Sequence, residues 1–366
     1  MKKLIFGITG LTLGGAERVL VDIVNELSQK FEITVFTLYG KGEFEKELSN
    51  NVKLVSMVNK SYSELSKIEH FKVSLSLLLN KKKIYKKYID QNYNTEVAFL
   101  EGPITRLFSV KNKKVKKIAW VHNDIGQVFG SSFSAKVKRK LDKKSYSQYN
   151  SIVFVSNDNR EKFDEIYNID KNKMVIPNYI DSKRVLEKAN TEFDNIFEAG
   201  QVNFLTVARL TNQKALDRLI KVHSRLMEEG IKHKFYVIGD GPERKKMKEL
   251  IGLYSVEKSF ILLGKKDNPY PYIKNCDVFA LLSYYEGFPM TILESKILNK
   301  PILITNTAAR EALIGYDKSY IVDNTEQGVY EGIKNSISLL KNMKDEQKIN
   351  YHENYDIIKQ IEKLVE

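Results

Sequence analysis

A single cysteine, Cys276, stands in 366 residues. With no second thiol the chain can form neither an internal disulfide nor a cysteine-built zinc site, and a reducing compartment is expected. Long apolar runs are missing as well: no stretch approaches the roughly 18 consecutive apolar residues of a membrane-spanning helix. The opening Met1-Lys2-Lys3 and Leu4-Ile5-Phe6-Gly7-Ile8 look briefly like a signal peptide, yet the run breaks at Thr9-Gly10 and charges return at Glu17-Arg18. It reads as a buried first strand, so the expected location is the cytoplasm or a membrane surface. The dinucleotide spacing GxGxxG is absent, since the early glycines fall at 7, 10, 14 and 15. Nor does a carboxylate close the second strand, where Leu38-Tyr39-Gly40 stands. Both absences count against a nicotinamide enzyme.

What is present is an ordinary globular balance, 42% hydrophobic and 29% charged, which excludes collagen-like and wholly disordered chains. The length suggests two domains of about 180 residues each. Charge is unevenly shared between the halves. Residues 1–180 carry 31 Lys+Arg against 19 Asp+Glu, residues 181–366 carry 28 against 27, and 71–144 alone carry 18 against 5. The clusters are Lys81-Lys82-Lys83, Lys86-Lys87, the run from Lys111 to Lys117, and the run from Lys136 to Lys140. A solvated Lys-rich surface is the plain reading of such runs; so clean a split points to an anionic partner of the first half. Nucleic acid is disfavoured, because arginines interleaved with aromatics are lacking there and no nucleic-acid motif occurs. Anionic lipid is favoured, because Phe71-Lys72-Val73-Ser74-Leu75-Ser76-Leu77-Leu78-Leu79 runs straight into the Lys81–Lys87 cluster, the composition of an interfacial helix.

Short apolar runs alternate with helical patterns from end to end. Strands are expected at 4–9, 31–38, 96–100, 117–122 and 151–156, with a helix at 15–27 whose Val19, Leu20, Ile23, Val24 and Leu27 share a face. A second series has strands at 202–208, 234–238, 260–263, 277–282 and 301–305, and helices at 215–227, 289–298 and from 326 onward. Strands separated by helices of ten or more residues imply parallel sheets covered on both faces. The expected fold is α/β, two facing Rossmann-like doubly wound domains with functional residues beyond the carboxyl ends of the strands, in the cleft between them.

Four strand-end segments carry candidate chemistry. Gly14-Gly15 opens the first helix, where bare backbone can approach a phosphate, although a tight turn alone would also explain it. His122 closes the Trp120-Val121 strand and could bond a sugar hydroxyl; a buried imidazole with a backbone partner is the plainer reading. Arg209 and Lys214 follow an apolar strand and combine a planar fork with a mobile point charge, which suits a diphosphate. In Ser283-Tyr284-Tyr285-Glu286-Gly287-Phe288-Pro289-Met290-Thr291-Ile292-Leu293-Glu294 a Gly-containing loop leads to a helix opened by Pro289. Glu286 and Glu294 are too far apart for a shared-proton dyad and too close to one wall to flank a scissile bond. They fit one elongated polar ligand, hydroxyls at each carboxylate and phosphates at the helix start.

These residues resemble the retaining, nucleotide-sugar-dependent glycosyltransferases of family four, with the GT-B fold, and among them bacterial capsular and cell-surface polysaccharide enzymes. The resemblance rests on Gly14-Gly15-Ala16-Glu17-Arg18, His122, Val175-Ile176-Pro177-Asn178-Tyr179-Ile180-Asp181, Ala208-Arg209-Leu210 with Gln213-Lys214, Ile238-Gly239-Asp240-Gly241-Pro242, and Glu286 through Glu294. It implies an acceptor domain at 1–182, a donor domain at 183–346, and a last helix at 347–366 returning to the first. By similarity Arg209 and Lys214 hold the diphosphate, Glu286 the donor hexose and Glu294 the ribose. Amides around Phe288, Pro289, Met290 and Thr291 would lie near the phosphates. Gly14 and Gly15 would approach the donor, His122 the transferred sugar, and Gly264-Lys265 the base. Tyr179 stands where the family usually has glycine after Pro-Asn.

The implied reaction moves a hexose or N-acetylhexosamine from a nucleoside diphosphate sugar, expected to be a UDP-sugar, to a saccharide on a polyprenyl diphosphate. It needs no cofactor and no metal, at the inner face of the cell membrane. A protein Ser/Thr acceptor and a catalytically idle partner subunit are the alternatives. A non-hydrolysing epimerase would not need the Glu286–Glu294 pair with Arg209 and Lys214, and a phosphorylase would show a pyridoxal-binding lysine.

Overall fold

The computed structural model describes residues 1–123, 125, 133–340 and 352–366. Residues 124 and 126–132 of the basic segment, and 347–351 of the expected returning helix, lie outside the described residues. The chain forms two compact units, 1–180 with 352–366, and 181–351.

The first unit is built on seven strands: β1 (Lys3–Ile8), β2 (Glu32–Tyr39), β3 (Val52–Val58), β4 (Thr95–Ala98), β5 (Lys116–Val121), β6 (Ser151–Phe154) and β7 (Asn172–Val175). Their order is β3-β2-β1-β4-β5-β6-β7, and every pairing is parallel. Helices cover both faces of such a sheet, so Leu4, Ile5, Phe6 and Ile8 are all fully buried instead of alternating. Phe108 packs on the bare backbone of β1, where a Cβ on Gly7 would fall 2.3 Å from its ring. Under β4 and β5, buried Lys117 donates to Glu96, to the Phe108 carbonyl (2.8 Å) and to Tyr85 (3.2 Å). Helix His352–Val365 belongs to this unit: Thr95 Oγ1 donates to the Val365 carbonyl at 2.8 Å, and Lys30 pairs with Glu362 at 2.6 Å.

The second unit has β8 (Val202–Val207), β9 (His233–Ile238), β10 (Phe260–Gly264), β11 (Val278–Leu281), β12 (Ile302–Thr305) and β13 (Ser319–Val322), again all parallel, in the order β10-β9-β8-β11-β12-β13. Phe204, Phe235 and Phe260 stack across three strands, at 4.7 and 5.8 Å between neighbouring rings. Two doubly wound sheets are thus present. The strands not anticipated, β3, β7 and β13, all lie at sheet edges, where partial burial leaves a mixed pattern in place of an apolar run.

His223 and His233 are buried core residues. His233 Nδ1 lies 2.8 Å from the Ile231 carbonyl, which can only accept, so it carries the proton. His233 Nε2 then accepts from His223 Nδ1 at 2.8 Å, and His223 Nε2 accepts from Ser259 Oγ at 2.8 Å. In this arrangement both imidazoles are neutral. Burial pushes His223 down to about 3 and His233 down to about 4, from an ordinary 6.5. Above pH about 6.5 neither state binds the extra proton; below it the unfolded histidines do and the folded ones do not. Stability should therefore fall from pH 6.5 towards 4, by roughly 1 kcal/mol per histidine per pH unit. Urea midpoints across this range measure the loss. The double variant His223→Asn, His233→Asn should flatten the slope, and an unchanged slope would place the acid sensitivity elsewhere.

Candidate functional site

In each sheet the strand order reverses once, between β1 and β4 in the first unit and between β8 and β11 in the second. Loops leaving the carboxyl ends of such neighbours diverge and leave polar backbone exposed to a ligand. Gly14, Arg209, Lys214 and Glu286 to Pro289 sit on those loops; His122, beyond β5, and Gly264-Lys265, at the end of β10, do not, and Met290, Thr291 and Glu294 lie in the helix that follows.

In the second unit, Ala208–Leu210 is gripped by the end of β9. Ala208 N donates to Ile238 O and Leu210 N to Asp240 O, both at 3.0 Å. A Cβ on Gly239 (φ +142°) would lie 1.9 Å from Ala208 O, and one on Gly241 2.3 Å from Leu210 O. That is the physical reason for the glycines in Ile238-Gly239-Asp240-Gly241. Arg209, between two clamped residues, is exposed, and among the described residues its side chain makes no hydrogen bond or ion pair. The chain then turns through Asn212–Lys214, with Ala215 at φ +50°, into helix Leu216–Glu228.

Lys214 Nζ pairs with Glu286 Oε1 at 2.6 Å, and Ser283 Oγ donates to the same oxygen at 2.5 Å. Gln213 joins the two loops further: its carbonyl accepts from Tyr284 N and its Nε2 donates to Tyr285 O, both at 2.9 Å. From below, Arg218 donates to Leu282 O at 2.8 Å, and Thr305 Oγ1 donates to Ser283 O at 2.6 Å. Glu286 is consequently buried and fixed, and it does not cap the following helix.

That helix is Met290–Ile297. Pro289, expected as its first residue, is its N-cap with extended backbone, and no side-chain cap is made. Ile292 N donates back to Pro289 O at 3.2 Å, whereas the N–H groups of Met290 and Thr291 have no partner within the helix. Glu294 lies in the second turn, buried, and accepts from Tyr270 Oη at 3.0 Å; Arg184 donates to that hydroxyl at 2.8 Å. Burial, reinforced by Glu294, pushes the Tyr270 hydroxyl well above its ordinary range, so it remains a donor. Gly264 (φ +73°) ends β10, and its carbonyl accepts from Gly239 N at 2.9 Å; it and Lys265 are separated from β8 by β9. The structure thus joins Lys214 to Glu286 directly, gives Glu294 its own Tyr270–Arg184 cluster, and keeps Gly264-Lys265 two strands from the reversal.

In the first unit, Gly14 is the N-cap of helix Gly15–Leu27, and any Cβ there would strike Glu17 Oε2 at 2.1 Å. Burial, with Glu101 adding repulsion, raises the Glu17 carboxyl above the usual range. Glu101, beyond β4, is buried and accepts from the N–H groups of His122 and Asn123 at 2.5 Å each. His122, just beyond β5, packs on Phe99 with ring centroids 4.7 Å apart. Burial pushes its imidazole down to about 3, and among the described residues its Nε2 has no hydrogen-bond partner. A neutral His122 can give or take a hydrogen bond but is not a general acid near pH 7.

Sequence reasoning missed Glu101, Arg184 and Tyr270. Glu101-Gly102-Pro103 repeats the signal that drew attention to Glu286, a strand-end carboxylate before a Gly- and Pro-marked helix start. Among the described residues no group of three or more His, Cys, Asp or Glu side chains could hold a metal ion, and no helix is long and apolar enough to cross a membrane.

Residues 13–184 match the family model described as Glycosyltransferase Family 4, and residues 187–354 the model described as Glycosyl transferases group 1. The chain is 28% identical to N-acetylgalactosamine-N,N'-diacetylbacillosaminyl-diphospho-undecaprenol 4-alpha-N-acetylgalactosaminyltransferase of Campylobacter jejuni, over 91% of this chain and 90% of that protein. It is also 28% identical to the amylovoran biosynthesis glycosyltransferase AmsD of Erwinia amylovora, over 88% of this chain and 86% of that one. Among solved structures, HepE of Anabaena in complex with UDP and glucose superposes with a TM-score of 0.71 at 14% identity, covering 99% of this chain and 100% of that one. With two such models in tandem over two doubly wound sheets, the chain belongs to the family 4 glycosyltransferases of the GT-B fold.

Proposed function

We propose that this chain moves a hexose or N-acetylhexosamine, with retention and without a metal, from a nucleoside diphosphate sugar to a saccharide carried on a polyprenyl diphosphate, and that uridine is the donor base. The observation that carries the reading is the Lys214–Glu286 contact at 2.6 Å across the strand reversal of the second unit. Arg209 shares the loop of Lys214, and the uncapped helix start shares the loop of Glu286. One cluster so offers cations and amides to a diphosphate and a carboxylate to sugar hydroxyls. The Campylobacter relative, named for an undecaprenyl-diphosphate-linked substrate, and the Anabaena protein, solved with UDP and glucose, support the acceptor and donor classes.

In this reading the bond from C1 of the sugar to the diphosphate oxygen breaks, and its electron pair goes to the diphosphate. Arg209, Lys214 and the first-turn amides of helix Met290–Ile297 stabilise the charge that develops there. The acceptor hydroxyl attacks C1 from the same face and passes its proton to the departing diphosphate oxygen. Glu286 holds the hydroxyls of the transferred sugar, Glu294 those of the ribose, and neutral His122 bonds the sugar. Gly14 and Gly15 admit the donor, and Gly264-Lys265 borders the base.

Acceptors of this kind reside in membranes, and the first unit suits the inner face of one. On helix Lys67–Leu79 the side chains of Ile68, Phe71, Leu75, Leu78 and Leu79 are exposed along one face while Val73 is buried. An apolar stripe beside lysine clusters is the composition of a reversible interfacial anchor.

A panel of nucleotide sugars, screened by thermal shift and product mass, identifies the donor and tests the activity; no turnover of any donor with any lipid-linked saccharide would remove the reading. With that donor, Glu294→Ala should weaken nucleotide binding by about 1–3 kcal/mol in calorimetry, while Glu286→Ala should chiefly lower kcat. Wild-type kinetics in both variants would sink the site assignment.

Arg209→Ala should reduce turnover about 10²-fold or more, as expected for a group that stabilises transition-state charge. Activity should persist in EDTA. Loss on chelation with rescue by Mg²⁺ or Mn²⁺ would overturn the metal-free mechanism.

A further inference from the structure

The first unit contains a cavity of about 960 Å³ lined by the end of helix Lys67–Leu79, the start of helix Lys81–Tyr88, helix Pro103–Phe108 and the second half of helix Phe133–Tyr146. Its apolar lining runs from buried Leu107, through half-buried Leu77 and Val110, to Leu78, Leu79 and Leu141, which are 70%, 69% and 45% exposed. Its charged lining is wholly cationic, beside the neutral Asn80, Ser109 and Gln148. Arg106 is taken by Asp142, with bonds of 2.6 and 3.0 Å. Lys81, Lys82, Lys83, Lys111, Lys138 and Lys144 have no ion pair among the described residues. Lys81 is half-buried and, among the described residues, donates only to Ser109 Oγ, at 3.1 Å. Burial, and then the like charges of Lys144, Lys117 and Arg106, depress its ammonium below the ordinary range. An uncompensated cation drawn into a pocket among other cations is what a bound anion would relieve.

Inorganic phosphate would use the lysines and leave the leucines wet; a purely apolar ligand would do the reverse. An amphiphile with a phosphate head satisfies both. The exposed stripe Ile68, Phe71, Leu75, Leu78 and Leu79 continues into the cavity lining at Leu78 and Leu79, so a helix lying in the interface would bring the cavity to headgroup depth. We infer that this cavity seats one anionic phospholipid of the membrane, its phosphate at Lys81 and Lys144 and an acyl chain along Leu77, Leu78 and Leu141. The inference rests on the membrane reading above and adds to it a discrete lipid site on top of diffuse attraction.

The test uses the full chain and a short-chain phosphatidylglycerol kept below its micelle concentration, read by native mass spectrometry and thermal shift. One lipid should bind per chain, saturably. The double variant Lys81→Gln, Lys144→Gln should weaken binding at least about 10-fold, while Lys113→Gln, Lys114→Gln, with the same charge change outside the cavity, should not. Leu78→Ser with Leu141→Ser, both exposed and so safe for folding, should abolish the gain in affinity with acyl length. Equal losses in the two lysine variants, equal binding of inorganic phosphate, or preference for a short polyprenyl diphosphate would each overturn the assignment. Sedimentation with anionic vesicles at low salt separates the two levels. Vesicle binding without monomer binding removes the lipid seat alone, and failure of both removes the membrane reading as well.

Discussion

A parallel strand cannot return to its neighbour by a hairpin; it must be left at its carboxyl end and re-entered through a crossover on a covered face. Every strand pairing in both units obeys this constraint, and the position of the chemistry follows from it. Where the winding reverses, the loops leaving two adjacent strands go to opposite faces, so neither covers the other. In the second unit those strands are β8 and β11, and their loops carry Arg209 to Lys214 and Ser283 to Pro289. In the first they are β1 and β4, and their loops carry Gly14-Gly15 and Glu101. One backbone rule, applied twice, yields two polar edges.

The two edges are chemically different. In the second unit Glu286 is buried, and Lys214, Ser283 and Gln213 satisfy it; without the cation a buried carboxylate would be strongly destabilising. Lys214 thus has a structural duty in the free protein, which leaves Arg209, among the described residues, as the uncommitted cation of the cluster. In the first unit the carboxylates of Glu17 and Glu101 are held towards their neutral forms by burial, and His122 is held neutral by burial too. That edge presents hydrogen-bonding groups with little charge.

The legibility of these features varied with burial and with sequence distance. β1, β8 and β11 could be read directly, because strands covered on both faces become continuous apolar runs. Edge strands β3, β7 and β13 could not. Arg209, Lys214, Glu286 and Glu294 were visible as strand-end polar residues. That Lys214 grips Glu286, 72 residues away, depends on β8 and β11 being neighbours, a topological fact that no local pattern encodes. The Glu294–Tyr270–Arg184 chain is hidden for the same reason. Glu101 had a usable local signal that went unread. The histidine relay of His223 and His233 had none, since a histidine in a helical pattern looks the same whether a core partner exists or not.

The charge asymmetry also finds a place in the fold, and not at the polar edges. Lys86 and Lys87 stand before β4, Lys111, Lys113 and Lys114 before β5, and Lys143 and Lys144 before β6, in segments that lead into the amino ends of their strands. Carboxyl-edge loops, where a donor diphosphate is proposed to bind, draw nothing from these clusters. In the second unit several surface lysines are paired, Lys221 with Glu326, Lys234 with Glu198 and Lys246 with Asp217. Among the described residues the first unit's Lys86, Lys87, Lys143 and Lys144, on helices, and Lys111, Lys113 and Lys114, on the loop before β5, form no ion pair. Lysines gathered this way suit the anionic partner proposed for the first unit, met away from the carboxyl edge of that unit's own sheet.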